Sequence, residues 1–153
     1  MTGSAGEQRR WQEVIVDHSQ FPRRQGQIEN ADLVAAGENP LCGDRVRLYL
    51  RFDERGRISD ARFEGAGCAI SMASASLLTA QLVGRSRQQA LAMFRAVHGA
   101  MTGSDWPEDF DAGELEALEL IRKFPLRVKC ASLSWHALRH ALEGGGEGAV
   151  TTE

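Results

Sequence analysis

The sequence predicts an α+β protein, a small antiparallel β-sheet packed against helices. Three observations predict it. Residues 45–52 alternate between apolar and charged or polar side chains, and a second strand-like run follows across a polar turn. From residue 70 onward, apolar residues recur at helical spacing. No repeat or second domain interrupts the 153 residues, a length that fits one domain with a core of its own.

Each element follows in chain order. Trp11, Val14, Ile15 and His18 stand at helical spacings and predict a first helix over 7–18. Phe21-Pro22-Arg23-Arg24-Gln25-Gly26 ends it, because Pro22 lacks a donor and Gly26 permits a turn. A short edge strand is expected over 31–36, and Asn39-Pro40 reads as a turn. Within 45–52, Val46, Leu48, Leu50 and Phe52 face one side and Arg45, Arg47, Tyr49 and Arg51 the other, the pattern of a half-buried strand. Asp53-Glu54-Arg55-Gly56 reverses the chain into a strand over 58–63. Ile70, Ala73, Leu77 and Leu78 form the seam of a helix over 70–83, with Gly84 as its stop. Ser86 caps the next helix, which carries Leu91, Phe94, Arg95 and Val97. A loop is expected over 98–111, a short helix over 114–121, a break at Phe124-Pro125-Leu126 and a final helix over 131–142. Residues 1–6 and 143–153 read as flexible termini around a domain of residues 7–142.

Composition narrows the function. The formal charge of -3 gives no basic field for nucleic acid. No apolar run approaches the roughly 18 residues of a membrane helix. Residues 1–12 lack an apolar secretory core, and Arg9 and Arg10 are too few for a mitochondrial leader. Cysteines are sparse and odd in number, unlike a secreted disulfide scaffold. The expectation is a cytoplasmic protein with free or metal-bound thiols and no membrane or nucleic-acid partner.

The chemistry concentrates at Cys42, Cys68, Cys130 and Asp44. Cys42 lies in Asn39-Pro40-Leu41-Cys42-Gly43-Asp44, Cys68 in Glu64-Gly65-Ala66-Gly67-Cys68-Ala69, and Cys130 in Arg127-Val128-Lys129-Cys130. Three thiolates and a carboxylate suit a tetrahedral metal site better than a disulfide framework. Cys42 and Asp44 point the same way if the stretch is extended, or converge if Gly43 bends it. Cys68 and Cys130 are each expected at a helix start, where amides and dipole favour a thiolate. The competing reading is three buried, inert cysteines, with Asp44 a turn residue. The histidines read more plainly: His18 exposed or capping, His98 at a helix C-terminus, and His136 and His140 on an exposed helix face. Gly65-Ala66-Gly67 lacks the longer pattern of a nucleotide fingerprint.

At these residues the chain resembles the U-type iron–sulfur cluster assembly family (NifU N-terminal/IscU-like), and within it the SufU-like branch of zinc-dependent sulfur-transfer proteins. The resemblance spans residues 10–142. It rests on Asp17-His18 with Pro22-Arg23 and Gly26, on the Cys42 motif, on Phe63-Glu64-Gly65-Ala66-Gly67-Cys68-Ala69-Ile70-Ser71, and on Arg127-Val128-Lys129-Cys130-Ala131-Ser132-Leu133-Ser134-Trp135. Lys129 stands where the classical scaffolds carry histidine, and 98–113 resembles the insertion of the SUF branch. Ser19 departs from the aromatic that often follows the Asp17-His18 pair, which bears on docking and leaves the metal set untouched.

The resemblance implies an IscU/SufU-like fold and one Zn2+ held by Cys42, Asp44, Cys68 and Cys130. It implies a SufS-type pyridoxal-phosphate cysteine desulfurase as partner and a downstream Fe–S scaffold complex as recipient. In the family's mechanism a desulfurase histidine displaces Cys42 from zinc, and the freed thiolate attacks the desulfurase persulfide. Cys42 is therefore the expected catalytic residue, and Arg127 a residue that contacts the partner or stabilises the thiolates. Two other functions fit the same residues: a scaffold assembling a [2Fe-2S] cluster, and a structural zinc-bearing adaptor without turnover.

Overall fold

The computed structural model describes residues 5–144 and 150–151. Chain order is α1 (Ala5–Gln20), β1 (Leu33–Asn39), β2 (Asp44–Phe52), β3 (Ile58–Ala66), α2 (Ala69–Leu82), α3 (Arg87–Thr102), a 3-10 helix (Gly113–Lys123), α4 (Pro125–Leu142) and β4 (Val150–Thr151). The sheet runs β3-β2-β1-β4. The first three strands pair antiparallel, and β4 joins the edge of β1 in parallel. This is the expected α+β architecture.

The alternation of β2 decides which face is covered. Val46, Leu48 and Leu50 are buried while Arg45, Arg47 and Arg51 are exposed. Ala61 and Phe63 of β3 and Ala35 of β1 join the buried side. Helix α4 packs on β1 and β2, and α2 on β3. Phe52, expected on the core face, is only partly buried, because the register shifts at Arg51/Phe52 near the end of the strand. Tyr49 is buried on the opposite face, where its hydroxyl donates to Glu64.

Among the boundaries that differ from expectation, three have a plain physical reason. β1 continues through Gly37 to Asn39, because a hydrogen in place of a side chain at Gly37 lets Leu133 of α4 close in; a Cβ there would sit 3.0 Å from Leu133 Cδ1. α3 runs through Gly99 to Thr102 and stops at Gly103, at a left-handed φ of 109°. A helical glycine costs about 1 kcal/mol, which burial of Val97, Ala100 and Met101 offsets. α4 begins at Pro125, whose fixed φ and missing N–H suit the first turn, so the expected break is the helix start. The flexible termini expected at 1–6 and 143–153 fall largely outside the described residues; Ala5 and Gly6 lie in α1, and Val150–Thr151 form β4.

His18 is buried rather than exposed. Ser76 Oγ accepts the Arg23 N–H at 2.8 Å, which leaves its hydroxyl hydrogen for His18 Nδ1 at 2.7 Å. His18 Nε2 then donates toward Glu114 Oε1 at 3.3 Å. One imidazole thus joins α1, α2 and the 3-10 helix. Burial holds its pKa below the usual histidine value.

A histidine pair fills the α3–α4 seam. His98 and His136 lie 5.1 Å apart, His98 stacks on Phe94, and the Arg139 guanidinium lies over Phe94. Burial, then His98 and Arg139, pull the His136 pKa down from 6.5 to about 4. The unfolded chain therefore binds this proton more readily. The contribution of His136 to stability is full above pH 6.5 and is lost as pH falls toward about 4. His136→Phe, which removes the ionisable group, is expected to flatten the decline of Tm between those pH values, measured by thermal melts across the range.

Candidate metal centre

Asp44 opens β2 on the buried side of the strand, the side of Val46 and Leu48, and is fully buried. A buried carboxylate needs donors. Its Oδ1 accepts the Cys68 backbone N–H at 2.8 Å. This approach requires Gly67, because a Cβ there would overlap Asp44 Oδ1 and lie 2.9 Å from its Cγ. Gly65 likewise has no room for a Cβ, which would run into the Arg45 carbonyl. The two glycines, unexplained by any nucleotide pattern, are where the end of β3 passes against the start of β2.

Cys68 is the N-cap of α2, as the sequence suggested. Its Sγ accepts the Ser71 N–H at 3.4 Å and lies 3.8 Å from Asp44 Oδ2. A thiolate here gains from the amide and from the helix dipole.

Cys42 sits on a bend rather than in an extended stretch. Asn39 builds that bend: its side-chain Oδ1 accepts the Leu41 N–H at 3.1 Å, and its carbonyl accepts those of Cys42 and Gly43 at 3.2 and 2.8 Å. Gly43 follows at a left-handed φ of 73°, open to glycine without strain. Asn39 is buried, and Cys42 is exposed.

Cys130 lies more than a turn inside α4, not at its N-terminus, because the helix starts at Pro125. It is buried, and its Sγ is 3.6 Å from Cys42 Sγ. Burial, followed by the contacts with Cys42 and Asp44 and the charge of Cys68, pushes its thiol pKa far up. The helix-start argument for its thiolate therefore fails, and only a nearby cation would hold it ionised.

Donor atoms of Cys42, Asp44 and Cys130 all lie within 4.8 Å of one another, so one ion could bridge them. Cys68 falls outside that trio and adjoins it through Asp44. Two sulfurs on a tetrahedral zinc, each at about 2.3 Å, stand about 3.8 Å apart. The Cys42–Cys130 separation of 3.6 Å matches that edge. It is well beyond a disulfide bond of about 2.05 Å, and all three cysteines are free. The donor set and spacing fit zinc.

The other candidates lie apart. Arg127 is exposed on the first turn of α4, and its guanidinium makes no hydrogen bond or ion pair among the described residues. His136 and His140 are partly buried and contribute nothing to the cluster. Asn39 and Gly67 also build the site; the sequence shows the Asn39-Pro40 turn and the paired glycines, but not what they approach.

The family model described as NifU-like N terminal domain matches residues 10–143. The chain belongs to this iron–sulfur cluster assembly family. It is 44% identical over 138 residues to the zinc-dependent sulfurtransferase SufU of Bacillus subtilis (strain 168), covering 89% of this chain and 92% of that protein. It is 39% identical over 130 residues to the iron–sulfur cluster assembly scaffold protein IscU of Streptococcus pyogenes serotype M1, covering 85% of this chain and 80% of that protein. Among solved structures it is similar to an iron–sulfur cluster assembly scaffold protein for the SUF system from Fervidobacterium islandicum AW-1. That match has a TM-score of 0.76 and 39% identity, covering 85% of this chain and 94% of the other. Among the described residues no helix is long and apolar enough to cross a membrane.

Gly67→Ala is expected to push the Asp44 carboxylate off the Cys68 amide. Zinc affinity should fall by at least about tenfold, as losing an outer contact does at metal sites, measured by chelator competition. The far-ultraviolet circular dichroism of the metal-free variant should remain that of the parent.

Proposed function

We propose that this protein is a zinc-dependent sulfur acceptor and carrier, taking sulfane sulfur from the persulfide of a pyridoxal-phosphate cysteine desulfurase for cluster assembly. The observation that carries this reading is the inequality of the four donors. Asp44 and Cys68 are tied by a 2.8 Å hydrogen bond, and Cys130 is buried in α4. Cys42 alone is exposed, on a bend beside a glycine. One donor can leave while three stay in place.

Bound zinc would supply a thiolate at neutral pH and keep it masked until a partner docks. Asp44, Cys68 and Cys130 are the residues that would remain as its ligands. Cys42 would present its sulfur to the persulfide of the partner, accept the outer sulfur and return a thiolate to the desulfurase. Leu41, beside Cys42, is 76% exposed, and Leu126, one turn before Cys130 in α4, is 89% exposed. These exposed apolar side chains, with Phe124 and Arg127, flank the two facing cysteines in sequence and have the composition expected of a protein-docking surface. Arg127 is assigned to partner contact, since its guanidinium reaches none of the thiols.

The similarity to a scaffold protein favours a second reading, assembly of a [2Fe-2S] cluster on the same three thiols and carboxylate. Metal and acid-labile sulfide are to be measured on protein purified without oxygen. About one zinc per chain and no sulfide is expected; equimolar iron and sulfide with little zinc would favour the scaffold. Cys42→Ala is expected to abolish stimulation of the desulfurase, read as sulfide or alanine production. Stimulation that survives this change would leave only a structural adaptor.

A further inference from the structure

The Cys42 and Cys130 sulfurs lie 3.6 Å apart, whereas Cys68 is turned toward Asp44 and the Ser71 amide. The site thus holds one exposed thiol, one buried thiol aimed at it, and a third turned away. We propose that Cys130 is a resolving thiol, which discharges a persulfide on Cys42 as sulfide whenever the metal is absent. The proposal rests on the sulfur-acceptor reading of Cys42.

The step balances without an outside reductant. Cys130 Sγ attacks Cys42 Sγ, the bond between Cys42 Sγ and the outer sulfur breaks, and a Cys42–Cys130 disulfide forms. The outer sulfur of the persulfide, anionic at neutral pH, takes the proton of the Cys130 thiol, so Cys130 attacks as a thiolate and the outer sulfur leaves as HS⁻. The sulfane sulfur gains two electrons, and the two cysteine sulfurs together lose two. Cluster sulfide is at this reduced level, so the site would deliver sulfide as well as sulfane sulfur.

The motion required is small. Closing 3.6 Å to a disulfide length of about 2.05 Å moves sulfur by about 1.5 Å. Cys42 is on an exposed bend beside Gly43, so the movement falls there and α4 stays packed. When Cys130 is a metal ligand its lone pair is engaged, so the loaded protein would keep its persulfide. Metal occupancy would then choose between carrying sulfane sulfur and releasing sulfide.

The test uses the full chain, zinc-loaded or stripped by chelator, without oxygen. Glutathione persulfide is the donor, and the protein is desalted before readout. Stripped wild-type protein is expected to release sulfide and lose two hydrogens in mass, with peptide mapping joining Cys42 to Cys130 and Cys68 free to alkylate. Zinc-loaded protein, with Cys42 masked and no partner present, should release no sulfide and form no cross-link. Cys130→Ser, when stripped, should instead gain and keep one sulfur atom and release sulfide at least about tenfold more slowly, as expected when an adjacent intramolecular nucleophile is removed. Cys68→Ser should behave as wild type.

A cross-link to Cys68, a stable persulfide on stripped wild-type protein, or unchanged release from Cys130→Ser would each overturn the proposal. The wild-type cross-link map decides the matter even if a variant misfolds. Because the donor is a small molecule, a desulfurase that ignores this protein would sink the sulfur-acceptor reading and leave this result unchanged.

Discussion

The hydrogen bond from the Cys68 amide to the Asp44 carboxylate is the constraint on which the site depends. It fixes the first residue of β2 against the N-cap of α2, and so decides where two of the four candidate donors stand. It exists because Gly67 offers no Cβ to the carboxylate. With Oδ1 engaged, Oδ2 is left toward the Cys68 sulfur and available to an ion. A buried carboxylate beside three thiols is unfavourable by itself, since each negative charge raises the cost of the next. A divalent cation would reverse that sign, and the donor atoms of Cys42, Asp44 and Cys130 stand close enough to share one.

The three thiols differ through their elements. Cys68 has a helix N-terminus and an amide donor. Cys130 has neither, and burial keeps it protonated in the metal-free state. Cys42 is held by the backbone of its bend, with its sulfur against that of Cys130, and faces solvent. Similar side chains thus acquire different surroundings: one thiol accepts an amide at a helix start, one is buried and one is exposed. The distribution follows from burial and backbone, not from residue type.

The rest of the fold keeps these elements in register. The Asn39↔Asp44 pairing that closes the β1–β2 ladder places the Cys42 bend beside Asp44. Close contact between Gly37 and Leu133 seats α4 on β1, and with it Cys130. His18, bridging Ser76 and Glu114, holds α1 and the 3-10 helix against α2. The α3–α4 seam with its two histidines contributes no donor to the cluster, although His136 follows Cys130 in the same helix.

The sequence alone determined the sheet-plus-helix architecture, because period-two alternation in β2 and helical spacing after residue 70 are local signals. It also determined the identity of the candidate donors, since the motifs around Cys42, Cys68 and Cys130 carry the family resemblance. Helix ends were less legible: Gly99 and Pro125 look like breakers, yet one is carried inside α3 by packing and the other begins α4. The burial of His18 was hidden, because its partners Ser76 and Glu114 are remote in the chain. Only the tertiary structure decided which thiol faces which, placing Cys130 beside Cys42 and Cys68 beside Asp44. Those pairings join residues 88 and 24 positions apart, and such distances are set by how β2, α2 and α4 pack, which no local pattern encodes.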